Sequence, residues 1–91
     1  MDIRRVFGQN LRRYRLEVGL SQEAVAERMG VDRAHVSSME RGQQNVTLLT
    51  VWHAAQALGR RSADFLDEGG AAMAGGSSLV AKAPRRKRTK A

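Results

Sequence analysis

Between Gln22 and Met39 the larger apolar residues fall at Val25, Met29, Val31, Val36 and Met39. Val25 and Met29 are four apart and Val36 and Met39 three apart, spacings at which side chains share one face of an α-helix. Gly30 and Asp32 lie between the two pairs, so the pattern predicts two short helices crossing at a tight turn. Ala26 falls where steeply crossed helices bring their backbones closest, and a larger side chain there would push the second helix away. Gly30 ends the first helix, since a residue without Cβ takes positive φ at little cost. Asp32 is placed to cap the second, its carboxylate accepting an amide near His35 and suiting the helix N-terminus.

The same reading extended along the chain predicts five helices and no strand. The first runs from about Ile3 to Val18 after an Asp2 cap, with Ile3, Phe7, Leu11 and Val18 on one side, and closes at Gly19. Ser21 caps the second. The third covers Arg33 to Arg41 and ends at Gly42, leaving Gln43 to Val46 as a polar loop. Thr47 caps the fourth, which carries Leu48, Val51, Ala55 and Leu58 inward and stops at Gly59. A short fifth holds Phe65 and Leu66. Beyond Asp67 the residues turn to Gly, Ala and Ser and then to a basic cluster, too poor in large apolar side chains to offset the entropy of ordering. The expected organisation is an all-α domain over residues 1–67 and a disordered basic tail over 68–91.

Ninety-one residues suit one domain with a modest core, which pairing with a second subunit would help. Without cysteine there is no disulfide framework and no thiol chemistry. No signal peptide or apolar span is evident, so the chain reads as a cytoplasmic protein that meets no membrane. No nucleophile–base set, phosphate-binding glycine loop or metal-ligand cluster occurs, which argues against an enzyme and against any cofactor, metal or small-molecule ligand. The net charge of +7 invites a nucleic-acid partner, but six of the sixteen basic residues (Lys82, Arg85, Arg86, Lys87, Arg88 and Lys90) follow Gly69, where no acid occurs. The remainder is nearly neutral. Any specific binding by the folded part therefore depends on where its arginines lie.

The outward face of the third helix answers that requirement. Arg33, Ala34, Ser37, Ser38 and Arg41 give it hydrogen-bonding groups, small residues and positive charge. A DNA major groove, about 12 Å wide, admits one helix with such a front. Arg33, Ala34, Ser37 and Ser38 are the candidates for facing bases: a guanidinium matches guanine O6 and N7, a methyl meets the thymine methyl, and hydroxyls bond bases or phosphates. Arg33 gripping a phosphate is the competing reading, because phosphates take half or more of such bonds.

Several motifs together carry a resemblance. Phe7, Gly8, Leu11, Arg12 and Arg15 precede the string Gly19-Leu20-Ser21-Gln22, followed by Ala26, Gly30, Val36, Ser37, Glu40, Arg41 and Gly42. This arrangement, from about Phe7 to Leu66, resembles the XRE family of Cro-like and phage-repressor-like helix-turn-helix regulators. The resemblance implies a compact five-helix, lambda-repressor-like DNA-binding domain. It implies an ion pair between Arg15 and Glu40 that joins the first helix to the third, and phosphate contact by Gln22 at the start of the second. It also implies that the loop after the third helix runs beside the sugar-phosphate backbone, with Arg41, Gln44, Asn45 and Thr47 as clamps. Ser21 and His35 complete the phosphate candidates, His35 being either an edge contact or an ordinary solvated side chain. The stretch from Glu40 to Leu49 is also similar to the loop of restriction-modification controller proteins.

Leu49 and Trp52 lie on the outer side of the fourth helix, where they form either a dimer contact or the boundary of the core. With Phe65 and Leu66 they are the candidates for the interface. His53 has no metal partner at a recognised spacing. The basic tail either adds salt-sensitive attraction to DNA or merely solubilises the end. The expected function is a sequence-specific transcriptional regulator binding double-stranded DNA as a homodimer on a near-palindromic operator. A protein-interaction or antitoxin-like adaptor of the same fold is the alternative.

Overall fold

The computed structural model describes residues 2–70. Expectations for the chain beyond Gly70, including the basic cluster, lie outside the described residues. Helices α1 (Ile3–Glu17), α2 (Gln22–Met29), α3 (Arg33–Glu40) and α4 (Leu48–Leu58) precede a 3-10 helix at Ser62–Leu66. The described residues are all-helical, contain no strand, and include no helix long and apolar enough to cross a membrane.

Local side chains set three of the helix starts. Asp2 Oδ1 accepts the Arg4 amide at 2.8 Å, Ser21 Oγ accepts that of Ala24 at 3.0 Å, and Thr47 Oγ1 accepts that of Thr50 at 3.1 Å. Hydrogen bonds from the Arg4 side chain and amide hold the Asp2 carboxyl down at about 2, so it stays ionised as a cap. Asp32 departs from expectation and makes no side-chain cap. Its side chain lies in solvent, and α3 begins instead on backbone bonds from the His35 and Val36 amides to the Asp32 carbonyl.

The core gathers Val6, Phe7, Leu11 and Tyr14 from α1 with Val25, Ala26, Val36, Met39, Val51, Ala54, Ala55, Leu58 and Phe65. Ile3 and Val18, expected inward, are 53% and 47% exposed, and Leu48 is 83% exposed. All three sit at helix ends: Ile3 and Leu48 are the first residues of α1 and α4, and Val18 follows the last residue of α1. The inward stripe of α1 is instead centred on Val6, Asn10 and Tyr14.

Phe65 corrects a second expectation. Its ring lies between Phe7, with centroids 5.9 Å apart, and Tyr14, 5.1 Å away and near perpendicular. It is completely buried within the single chain and has no surface to offer a partner. The physical cause lies in the residues before and after it. Arg60 stacks over the Tyr14 ring at 4.3 Å while pairing with Glu17. The fully buried Asn10 amide donates to the carbonyls of Phe65 at 3.0 Å and Asp67 at 3.1 Å, tethering the 3-10 helix to α1. Burial pushes the Tyr14 phenol up, which keeps its proton available for the Asp64 carbonyl.

α1 meets α3 at Gly8, where a Cβ would fall 2.8 Å from the Glu40 carbonyl oxygen and against that of Met39. Both obstacles are backbone and cannot rotate away. In an open helix Gly→Ala is stabilising by about 0.5–1 kcal/mol. Here Gly8→Ala is expected to destabilise by about 1–3 kcal/mol, the usual cost of overpacking. Urea unfolding of the two proteins checks this, and an unchanged or raised midpoint would contradict so close an approach. Asn10→Ala, which strips the donor from the buried Phe65 carbonyl and from the part-buried Asp67 carbonyl, is expected to cost about 1–3 kcal/mol in the same assay.

Candidate nucleic-acid interface

The α2–α3 crossing is built from small residues and one left-handed turn. Gly30 sits at φ 75°, ψ 32°, with its amide on the Glu27 carbonyl and the Val31 amide on the Ala26 carbonyl. Ala26 is 3% exposed at this junction. Val36, Met39 and Glu40 face inward from α3, which leaves Arg33 and Ala34 exposed and His35, Ser37 and Ser38 half-buried along its outer side.

Behind that surface lies a buried charge. Glu40 is held by Arg15 in a two-point bond, Nε to Oε2 at 2.6 Å and Nη2 to Oε1 at 3.0 Å. The third Arg15 nitrogen, Nη1, donates to the Leu20 carbonyl at 3.0 Å. Gln22 Nε2 also donates to Glu40 Oε1, at 3.0 Å. The carboxylate therefore joins α1, the start of α2 and the end of α3. One hydrogen on the Gln22 nitrogen is committed to Glu40.

The outer face of α3 continues into the following loop as a strip of side-chain hydrogen bonds. Arg41 Nη1 donates to Ser37 Oγ at 2.6 Å, and its Nε and Nη2 donate to Gln43 Oε1 at 3.3 and 3.2 Å. Gln44 Nε2 donates to Ser38 Oγ at 2.9 Å. Asn45 Oδ1 accepts from Arg4 Nη1 at 3.3 Å, which brings the first turn of α1 to the loop. Arg33 and Arg41 have no carboxylate partner among the described residues. Ser21 and Thr47 serve as caps for α2 and α4, and Thr47 Oγ1 also shares a hydrogen with Thr50 Oγ1. His35 makes no side-chain hydrogen bond among the described residues.

Three nearby residues escaped the sequence reading: Gln43, Arg4 and Arg5. The Arg5 stem packs on Gly42, where φ is +75° and a Cβ would lie 2.7 Å from Arg5 Cγ. Periodicity carries no signal for a contact of this kind, because it joins the polar side of α1 to a loop nearly forty residues away.

A different surface gathers exposed apolar side chains. Leu49 is 63% and Trp52 49% exposed on α4, three residues apart and joined by the still more exposed Leu48. Trp52 stands edge-on to His53, with centroids 5.3 Å apart. Leu66, 38% exposed, borders with Ile3, Phe7, Val46 and Val51 a small apolar recess of about 60 Å³.

Residues 11–66 match the HTH_3 helix-turn-helix family model. The chain is 48% identical over 59 residues to an uncharacterized HTH-type transcriptional regulator, y4dJ, of Sinorhizobium fredii, covering 65% of this chain and 77% of that one. It is 45% identical over 58 residues to the control protein C.SmaI of Serratia marcescens, covering 64% and 69%. Among solved structures it is similar to the restriction-modification controller protein C.AhdI of Aeromonas hydrophila. That match has a TM-score of 0.66 and 42% identity, and covers 68% of this chain and 94% of the other.

Removing the Glu40 carboxylate strands a buried guanidinium. Glu40→Ala is expected to cost about 3–5 kcal/mol of stability in urea unfolding, the range for breaking one side of a buried pair. A loss below about 1 kcal/mol would place the pair with ordinary surface salt bridges.

Proposed function

This chain belongs to the helix-turn-helix family of DNA-binding transcriptional regulators, which are not enzymes, and from that premise we propose that it binds a near-palindromic operator as a homodimer. The observation that carries the proposal is the outward row Arg33, Ala34, Ser37 and Ser38, raised on a helix that Glu40, Val36 and Met39 fix from behind. In this reading α3 enters the major groove and Arg33 donates two bonds to a guanine edge, while Ala34 and the serines meet adjacent bases. Gln22 at the α2 N-terminus and Arg41, Gln44 and Asn45 in the loop hold the flanking phosphates, with Ser21, His35 and Thr47 at the margin.

Two copies meet through the apolar side chains of α4 and the 3-10 helix, with Leu48, Leu49, Trp52 and Leu66 as the contact. Their exposure in the single chain supports this, because removing such surface from water drives association. A two-fold dimer then places its half-sites about 34–36 Å apart. Bound at a promoter, it acts by occluding or recruiting polymerase. Its own promoter is one proposed target.

Selection of bound sites from random duplexes tests the reading, with two related half-sites one helical turn apart as the expected result. Arg33→Ala is expected to relax one position in each half-site and to lose about 1–3 kcal/mol of discrimination there. An equal loss on every sequence would assign Arg33 to a phosphate. Protection of the chain's own promoter in a footprint tests autoregulation, and an unprotected promoter would remove it.

A further inference from the structure

We propose that Arg5 is a DNA-phosphate contact, which makes the first turn of α1 part of the binding surface beside α3 and the loop after it. The proposal rests on the reading of α3 as the base-facing helix and adds a backbone contact that this reading does not itself include.

Arg4 and Arg5 meet the loop after α3 at two points. Arg4 Nη1 donates to Asn45 Oδ1 at 3.3 Å, and the Arg5 stem packs on Gly42. A Cβ on Gly42 would fall 2.7 Å from Arg5 Cγ, 3.1 Å from its Cα and 3.4 Å from its Cβ, so the stem lies against that residue as far as Cγ. Gly42 holds φ +75°, and its missing side chain leaves the space that the stem takes. A side chain seated in this way has given up part of its rotamer freedom before a ligand arrives, which lowers the ordering cost of binding.

The two arginines differ in how their charge is answered. Asp2 accepts from Arg4 Nε at 3.1 Å and from Nη2 at 2.8 Å, so that guanidinium is paired within the chain. Arg5 is exposed and makes neither an ion pair nor a side-chain hydrogen bond among the described residues. Residues 71–91 contain no Asp or Glu to supply a partner. Packing on Gly42 uses only the stem, and the guanidinium has no task inside the described fold. Arg41, the residue before Gly42, also has no carboxylate, its nitrogens bonding Ser37 and Gln43. Two uncompensated cations thus flank Gly42, one from α1 and one from the end of α3, on the loop that carries Gln44 and Asn45. A phosphodiester supplies the missing negative charge, and a guanidinium bonds its oxygens without reading a base. Arg5 therefore adds affinity and no base preference.

Arg5→Gln tests this, because glutamine keeps Cβ and Cγ against Gly42 and loses the charge. Binding of the full chain to its selected operator is measured across a salt series, together with interference by phosphate ethylation. A dimer carries two copies of Arg5, so at about 0.9 per phosphate contact the slope of log K against log salt is expected to be shallower by about 1.8 in the variant. Ethylation of one phosphate in each half-site is expected to weaken the wild type and not Arg5→Gln, with base preference alike in the two. Arg5→Lys, which retains the charge, is expected to keep the wild-type slope. Arg61→Gln removes the same charge from a side chain that is 78% exposed at the start of the 3-10 helix, and is expected to leave slope and ethylation pattern unchanged.

A salt slope or an ethylation pattern in Arg5→Gln equal to that of the wild type would overturn the proposal and leave Arg5 as a scaffold for the loop. An equal fall in slope in Arg61→Gln would overturn it as well, since net charge and not position would then be the cause. A wild type that enriches no sequence would instead remove the specific-binding reading, and this inference with it.

Discussion

Glu40 is a charge that the fold cannot leave unanswered. It is 9% exposed, and its two oxygens accept three N–H groups contributed by α1 and α2. A carboxylate taken out of water without such partners would cost several kcal/mol. The three donors consequently constrain where α3 can lie, because Glu40 is its last residue and must stay within reach of Arg15 and Gln22. Gly8 adds a steric constraint to the electrostatic one, since α1 can approach the end of α3 only without a Cβ there. Between them, these two contacts locate the C-terminal end of α3. The Ala26–Gly30 turn locates its beginning.

The outward face of α3 follows from that placement. With Val36, Met39 and Glu40 committed inward, the remaining positions of an eight-residue helix face out as a group. The loop beyond α3 bonds back to Ser37 and Ser38, and Arg4 reaches the loop from α1. Side chains distant in sequence thus converge on one side of the molecule, while the exposed leucines and Trp52 of α4 are left for another task.

Much of this arrangement could be read from the chain alone where the determinant is local. The caps at Asp2, Ser21 and Thr47, the left-handed Gly30 and the small Ala26 each depend on neighbours a few residues away, which spacing records. Failures cluster where the determinant is tertiary. Leu48 falls on the inward stripe of α4 by periodicity, yet as the first residue of that helix it is left 83% exposed. Phe65 looked available to a partner because a short apolar segment does not reveal what it folds onto. Its burial depends on Asn10, more than fifty residues earlier. The pairing of Arg15 with Glu40, 25 residues apart, was suggested by family resemblance and not by any pattern in the chain. The contact of Arg4 with Asn45 and the bonds holding the serines had no such precedent, because exposed polar side chains have no periodic signature.

The inward and outward faces of α3 also differ in what they allow descent to change. Replacing an inward residue disturbs a packed or charged interior, so it carries a stability cost before any benefit can accrue. Replacing Arg33, Ala34, Ser37 or Ser38 alters the outer surface of a helix whose position is determined elsewhere. On the proposed reading of that row, operator preference can be rewritten one residue at a time, each intermediate still folding, and the scaffold that holds Glu40 is what would make such drift between DNA sites accessible.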